Sequence, residues 1–156
     1  MEHSTIATKP EPSGRPGPKA LVGLAVGAAV CFHGTVSIFT CGATYDAYVH
    51  IFFADHYARS WFDPWEPRWY TGWTLTSYPP GAHQTIAALS TVLGLKNAFV
   101  ATIILAVGLF TLGIYRFGRL WVSEESAAYG ALLAVFSSCI CQTVHVYGQI
   151  PTMYSM

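Results

Sequence analysis

The sequence predicts an all-α membrane protein with three transmembrane helices, one interfacial amphipathic helix and a long aromatic extracytoplasmic loop. Its 156 residues are 53% hydrophobic and only 10% charged, whereas a soluble domain carries about 25% charged residues. Three stretches, residues 20–44, 97–115 and 126–150, carry no formal charge and are long enough to cross a hydrocarbon core about 30 Å thick at about 1.5 Å per residue. Residues 45–80 gather six of the sixteen charged residues, four of them carboxylates, which makes that segment the expected seat of chemistry.

Residues 1–19 hold four prolines and no apolar periodicity, the composition of a disordered tail that buries too little surface to offset the entropy of ordering. Residues 20–44 form the first transmembrane helix, too long for the apolar core of a signal peptide, which is about 7 to 15 residues. Gly23 and Gly27 make a Gly-x-x-x-Gly pair suited to close helix approach. Residues 45–80 form the loop. Residues 81–95 follow the Pro79-Pro80 stop and mix Ile86, Leu89, Val92 and Leu93 with His83, Gln84, Thr85, Ser90 and Thr91, the pattern of a helix lying at the interface. Residues 97–115 form the second transmembrane helix, 116–125 a short connection, and 126–150 the third. Lys9, Arg15 and Lys19 precede the first span, and Arg116 and Arg119 lie between the second and third. Both groups belong in the cytoplasm, so the tail and residues 116–125 are expected there, in a multi-pass protein of the cell membrane with residues 45–80 extracytoplasmic.

The formal net charge is zero and the 8 basic residues are scattered. Nucleic acid is excluded as a partner, because a phosphate backbone requires a basic stripe. Cys31, Cys41, Cys139 and Cys141 lie in or beside apolar runs without zinc-site spacing or a disulfide framework, and read as small packing residues. His33 and His145 stand at membrane depth, where an ionisable group is either satisfied by a neighbouring helix or lines a polar path.

Across residues 44–83, Asp46, Asp55, Asp63 and Glu66 crowd together with His50, His56 and His83 and with Trp61, Trp65, Trp69 and Trp73. The tryptophans recur every four residues, but Pro64, Pro67 and Gly72 argue against a continuous helix. They read either as an aromatic belt at the headgroup level or as an aromatic floor for sugar rings or prenyl chains. Asp46 is four residues before His50, so on a continuing helix both share one face. That pair is the candidate proton acceptor, and a helix-end carboxylate anchoring the span to water is the alternative. Asp55 and Arg59, also four apart, read as a surface ion pair. No spacing matches a dedicated metal motif.

The order of these parts resembles the amino-terminal portion of GT-C fold membrane glycosyltransferases, and of related bacterial membrane proteins labelled as related to 6-pyruvoyl-tetrahydropterin synthase. TYDAYVH ends the first span on an acidic residue, SWFDPWEPRWYTGW follows in the loop, YPPGAHQTIAALSTVLG opens the amphipathic helix, and RFGRLWVSEESAAYGALLA returns the chain to the membrane. The resemblance covers residues 20–156. It implies that Asp46, with His50, is catalytic and draws a proton from an acceptor hydroxyl as the sugar leaves a polyprenyl-phosphate donor. It also implies that Arg59, Arg68 or a bound divalent metal ion stabilises the departing phosphate, and that Trp61, Trp65, Trp69, Trp73, Tyr78 and His83 bind substrate. Such enzymes carry more spans, so the chain is expected to be the amino-terminal part of a larger protein and inactive alone, in contact with membrane lipid and with partner membrane subunits. The rival expectation is a small membrane subunit or assembly scaffold whose aromatic loop docks a partner protein.

Overall fold

The computed structural model describes Gly14 and residues 16–155. The tail expected over residues 1–19 therefore falls largely outside the described residues, and its last two residues already belong to the first helix. That helix, α1 (Pro18–Thr40), has Pro at its opening position, where the missing N–H has no intrahelical partner to lose. Three helical stretches, Pro18–Ala43, Leu95–Gly118 and Glu124–Tyr147, are long and apolar enough to cross a membrane.

These three form an up-down-up bundle. On α1 the buried residues Leu21, Ala25, Ala29, His33 and Ser37 recur every four positions, and they are mostly small, as close helix approach requires. The second long helix, α4 (Leu95–Gly118), runs antiparallel to α1. Leu21 and Ala25 share a cluster with Tyr115, while Ile104 comes within 3.0 Å of where a Cβ on Gly34 would lie. Gly23 and Gly27 have nothing within 4 Å of that position, so the Gly-x-x-x-Gly pair faces away from its neighbours here. Buried Thr102 and Thr111 donate to the carbonyls of Ala98 and Val107, each at 2.8 Å, so neither hydroxyl is left bare in the apolar interior.

The third stretch is not the continuous helix expected over residues 126–150. α5 (Glu124–Val135) opens on Ser123, whose Oγ accepts the Ser126 N–H at 3.2 Å, with Glu124 and Glu125 in the first turn, where helix-end N–H groups favour negative charge. The helix stops at Val135. Ser137 then caps a new short helix, α6 (Ser138–Cys141), by accepting the Ile140 N–H at 3.4 Å. A π-helical turn follows over Gln142–Tyr147 and ends at Gly148, whose φ is 70°. The serine side chain competes for backbone N–H groups and gives the chain an alternative to helix continuation.

Between α1 and α4 the chain builds a lobe rather than a loop. After a tight turn at Cys41–Ala43, α2 (Ala47–Arg59) buries Ala47, His50, Phe53, Ala54 and Tyr57 along one stripe. Strands β1 (Trp65–Glu66) and β2 (Trp73–Thr74) pair antiparallel, Trp65 opposite Thr74 and Glu66 opposite Trp73. The fold is therefore mostly helical with one small hairpin, not strictly all-α. A short turn, Leu75–Ser77, leads through Tyr78 and Pro79 to α3 (Pro80–Leu93). Gly94, at φ 74°, ends α3 and joins it directly to α4. The last helix, α7 (Ile150–Ser155), folds back so that Ile150 and Met153 enter the main core with Ala82, Ile86, Phe99 and Ala106. A second cluster in the lobe packs Phe53, Tyr57, Leu75 and Ala87, with Trp69 against it.

Candidate functional site

Asp46 sits between the end of α1 and the start of α2, and the carboxy-terminal segment holds it there. The N–H groups of Tyr45 and Asp46 donate to the carbonyls of Val146 and Tyr147 at 3.1 and 2.9 Å. The Asp46 carbonyl accepts the His50 N–H at 3.0 Å as the first turn of α2 closes. The carboxylate does not cap that helix, and among the described residues it has neither a hydrogen-bond nor an ion-pair partner. Asp46 and His50 line one cleft of about 290 Å³ together with Tyr78, Pro79, Gln149, Pro151, Thr152 and Ser155. Spacing thus brought Asp46 and His50 together, and the fold adds Tyr78 from the segment before α3 and a wall from α7.

Behind His50 stands His83 on α3, its Nε2 3.0 Å from His50 Nδ1. Ring centroids 5.2 Å apart are what two imidazoles meeting edge to edge along that contact give. Both rings are buried. Burial pushes His50 down to about 4, with the Asp46 charge opposing. Burial, and then His50, push His83 down to about 3, the Pro79 carbonyl opposing. Both imidazoles are therefore neutral around neutral pH. His50 Nε2 is buried with no partner among the described residues. His83, expected to contact substrate, instead lies behind His50 and outside the cleft lining.

Arg59 and Arg68 belong to a second cluster, centred on Glu66, which is fully buried. Arg68 Nε and its own backbone N–H reach Glu66 Oε1 at 2.8 Å, and Nη2 reaches Oε2 at 2.6 Å. His56 Nδ1 lies 3.2 Å from Oε2, and His56 Nε2 donates to the Asp63 carbonyl at 2.6 Å. Asp55 accepts from Arg59 at 2.6 Å and from Arg68 at 2.8 Å, and the Arg68 guanidinium also covers the Phe52 ring at 4.6 Å. Arg68 holds the Glu66 carboxyl down to about 2, and the carboxylates push Arg68 up in turn. Each arginine thus already has a carboxylate, and neither lines the Asp46 cleft.

The tryptophans do not form one surface. Trp69 lies within 5.5 Å of Phe52 and 5.3 Å of Phe53, centroid to centroid. Trp65 lies across Gly72, where an added Cβ would meet the indole at 2.1 Å. Trp61, Trp65 and Trp73 remain 41 to 48% exposed.

A second histidine pair occupies the bundle. His33 Nδ1 is 2.8 Å from His145 Nε2, and the planes differ by 13° with centroids 5.0 Å apart, so these rings too meet edge to edge rather than face to face. His33 Nε2 donates to the Val135 carbonyl at 2.9 Å, which the break after α5 leaves without its usual helical donor. Sequence reasoning missed this bond, the Glu66 hub and the α7 wall. Only the four-residue spacings were readable locally, because the His50–His83 and His33–His145 partners are 33 and 112 residues apart.

Among the described residues no group of three His, Cys, Asp or Glu side chains is placed to hold a metal ion. Asp46 and His50 offer two ligands of the kind a divalent ion takes. No family model matches the chain, and neither a curated protein nor a solved structure does.

Proposed function

We propose that the chain is the amino-terminal part of a multi-pass membrane glycosyltransferase-like protein of GT-C type, acting on a polyprenyl-phosphate-linked sugar donor. The observation that carries this reading is the Asp46 carboxylate, which has no donor among the described residues and is set with neutral His50 in a cleft at the outer end of the first spanning helix. In this reading the amino terminus is cytoplasmic, the lobe of residues 45–80 is extracytoplasmic, and α3 rests at the interface. Asp46 accepts the proton of an acceptor hydroxyl as that oxygen bonds to the sugar carbon and the carbon–phosphate oxygen bond breaks. The phosphate departs with the electron pair. Because Arg59 and Arg68 are already paired, its charge is met by a divalent ion or by groups beyond this cleft. An apolar groove of about 420 Å³, lined by Ala106, Leu109, Phe110, Gly113, Ile114, Phe117 and Met153, suits a prenyl or acyl chain beside α4.

The test is Asp46→Asn in the longest native chain, with sugar transfer from a lipid-linked donor measured in membranes. Loss of a general base lowers transfer by about 10²- to 10⁴-fold, and unaltered transfer sinks the catalytic assignment.

A noncatalytic subunit or scaffold is favoured instead by one feature, the exposed rings of Phe62 at 92% and Tyr70 at 91% beside the hairpin. Tyr70 also holds a positive φ of 51°, a strained backbone for a bulky residue. Truncating Trp61, Trp65 and Trp73 to Ala then abolishes capture of a partner membrane protein, and retained capture counts against a docking role.

A further inference from the structure

One face of α4 is covered over half its length and open over the other half. Phe99, Ile103, Ala106, Phe110, Gly113 and Phe117 recur every three or four residues, so they form a single stripe. Toward Leu95 the stripe is packed by α7, whose Ile150 and Met153 share the main core with Phe99, Ile103 and Ala106. From Ala106, midway along α4, to Phe117 it floors the groove of about 420 Å³, with Met153 at the Ala106 end. A Cβ on Gly113 would meet nothing within 4 Å, so no neighbouring side chain fills the groove there. Its length points to an occupant. Ala106 to Phe117 spans about 16 Å at about 1.5 Å per residue, and one leaflet's share of a hydrocarbon core about 30 Å thick is about 15 Å. A partner helix crossing the whole membrane along this stripe would run into α7, whereas an acyl chain fits the open half.

The open end of the groove lies at headgroup depth. Leu120, Trp121 and Val122 are exposed there, and the Trp121 ring stands 6.4 Å from that of Phe117, as an interfacial anchor does. Arg116, in the last turn of α4, is exposed, and its guanidinium has no hydrogen-bond or ion-pair partner among the described residues. Arg119 is engaged, since it pairs with Glu124 and covers the Tyr115 ring at 5.5 Å. A guanidinium binds phosphate through paired N–H donors, and a headgroup with its own cation would set that cation beside two arginines.

We propose that the groove and Arg116 form a binding site for a phospholipid with an anionic headgroup, drawn from the leaflet at the carboxy-terminal end of α4. One acyl chain lies along the stripe from Phe117 to Ala106, and the phosphate rests on Arg116. The groove thus goes to an acyl chain rather than to the prenyl chain of a donor, and the site needs neither Asp46 nor sugar transfer.

The experiment is native mass spectrometry of the full chain in detergent, titrated with phosphatidylglycerol, phosphatidylcholine or a polyprenyl phosphate. The unmodified protein is expected to retain one phosphatidylglycerol, at a concentration about tenfold below that needed for phosphatidylcholine. Arg116→Gln removes this preference, and Gly113→Leu, which fills the groove floor, abolishes retention. Two controls leave it unchanged: Lys96→Gln, at the opposite end of α4, and Gly23→Leu, on a face of α1 where a Cβ also meets nothing within 4 Å. Equal retention of the two phospholipids by the unmodified protein overturns the proposal, as does phosphatidylglycerol binding that Arg116→Gln leaves unaltered or that either control abolishes. Tighter retention of the polyprenyl phosphate, lost in Gly113→Leu, gives the groove to an isoprenoid and overturns it too. So does a dimer that Gly113→Leu disperses, which gives the groove to a second copy. If Gly113→Leu fails to fold, Arg116→Gln on the exposed surface still decides. Asp46→Asn retains the lipid whether or not it loses sugar transfer, so this site and the glycosyltransferase reading fail separately.

Discussion

The backbone N–H of Asp46 donates to the Tyr147 carbonyl at 2.9 Å, and this bond makes the end of the third spanning stretch part of the candidate site. Gly148 permits it, because the chain turns there through φ 70° to bring Gln149, Pro151 and Thr152 across the cleft. A Cβ on Gly148 would lie 2.6 Å from Thr44 Oγ1 and 3.0 Å from Thr44 Cβ. Gly148→Ala therefore combines a left-handed backbone penalty of about 1 to 2 kcal/mol with a steric clash, and it is expected to lower the melting temperature and loosen the Asp46 segment. The control is Gly81→Ala on α3, where nothing lies within 4 Å and alanine is favoured by about 0.5 to 1 kcal/mol. Equal melting temperatures for the two variants would refute the argument.

Glu66 is the hub of the lobe, and removing its charge should be felt far more than removing Arg59. Glu66 is fully buried, bonded by Arg68 and approached by His56 at 3.2 Å, whereas the Arg59 side chain is 53% exposed. Glu66→Gln weakens charge-assisted bonds worth about 1.5 to 3 kcal/mol. Arg59→Ala loses an exposed pair worth under about 1 kcal/mol. Limited proteolysis between Ser60 and Thr74 reads the difference, with rapid cleavage expected for Glu66→Gln and near-normal resistance for Arg59→Ala.

Acid should destabilise the lobe in two overlapping stages. His50 and His83 are held below the ordinary 6.5, at about 4 and about 3, so the unfolded chain binds protons first and their contribution is present above 6.5 and lost as pH falls toward those values. Glu66 is held at about 2 against an ordinary 4.5, so its contribution is present above 4.5 and lost as pH falls toward 2. Melting temperatures measured across this range should be level above 6.5 and decline below it. His50→Asn should flatten the upper part of the decline, and a curve that is flat from 6.5 to 4.5 in the unmodified protein would contradict the burial of the pair.

Properties carried by one continuous stretch were legible before the structure, and properties made by distant residues were not. Three apolar lengths are local, so the spanning helices could be read directly. Asp46 and His50 share a helix face because four residues separate them. The break at Phe136–Ser137 escaped notice because its residues are uncharged and hydropathy averages over them. The α2 stripe was hidden because Ala47, His50, Phe53, Ala54 and Tyr57 differ in polarity although they share a face. Glu66 gives little signal although Arg68 is only two residues on, because residues i and i+2 meet only where a turn folds the chain back, as it does here. The even spacing of the tryptophans carried no structural meaning, because the chain from Trp61 to Trp73 includes a hairpin and Trp69 alone packs deeply against Phe52 and Phe53.

The His33–His145 pair offers the last prediction, and the break in the third stretch is what gives it force. His33 bonds the Val135 carbonyl on one side of the break and His145 on the other, at 2.9 and 2.8 Å, so one side chain ties both halves to α1. His33→Leu leaves that carbonyl and His145 Nε2 without a partner in an apolar interior, at a cost of about 1 to 3 kcal/mol for each group. His145→Leu leaves only His33 Nδ1 bare, and the Val135 bond survives. Unfolding in mixed detergent micelles should therefore rank His33→Leu as the more damaging change. The double variant should fall short of the sum of the two, because the second substitution removes a group the first has already left unpaired. Additive effects would mean that the two rings do not share a hydrogen bond, and the break would then need some other tie to α1.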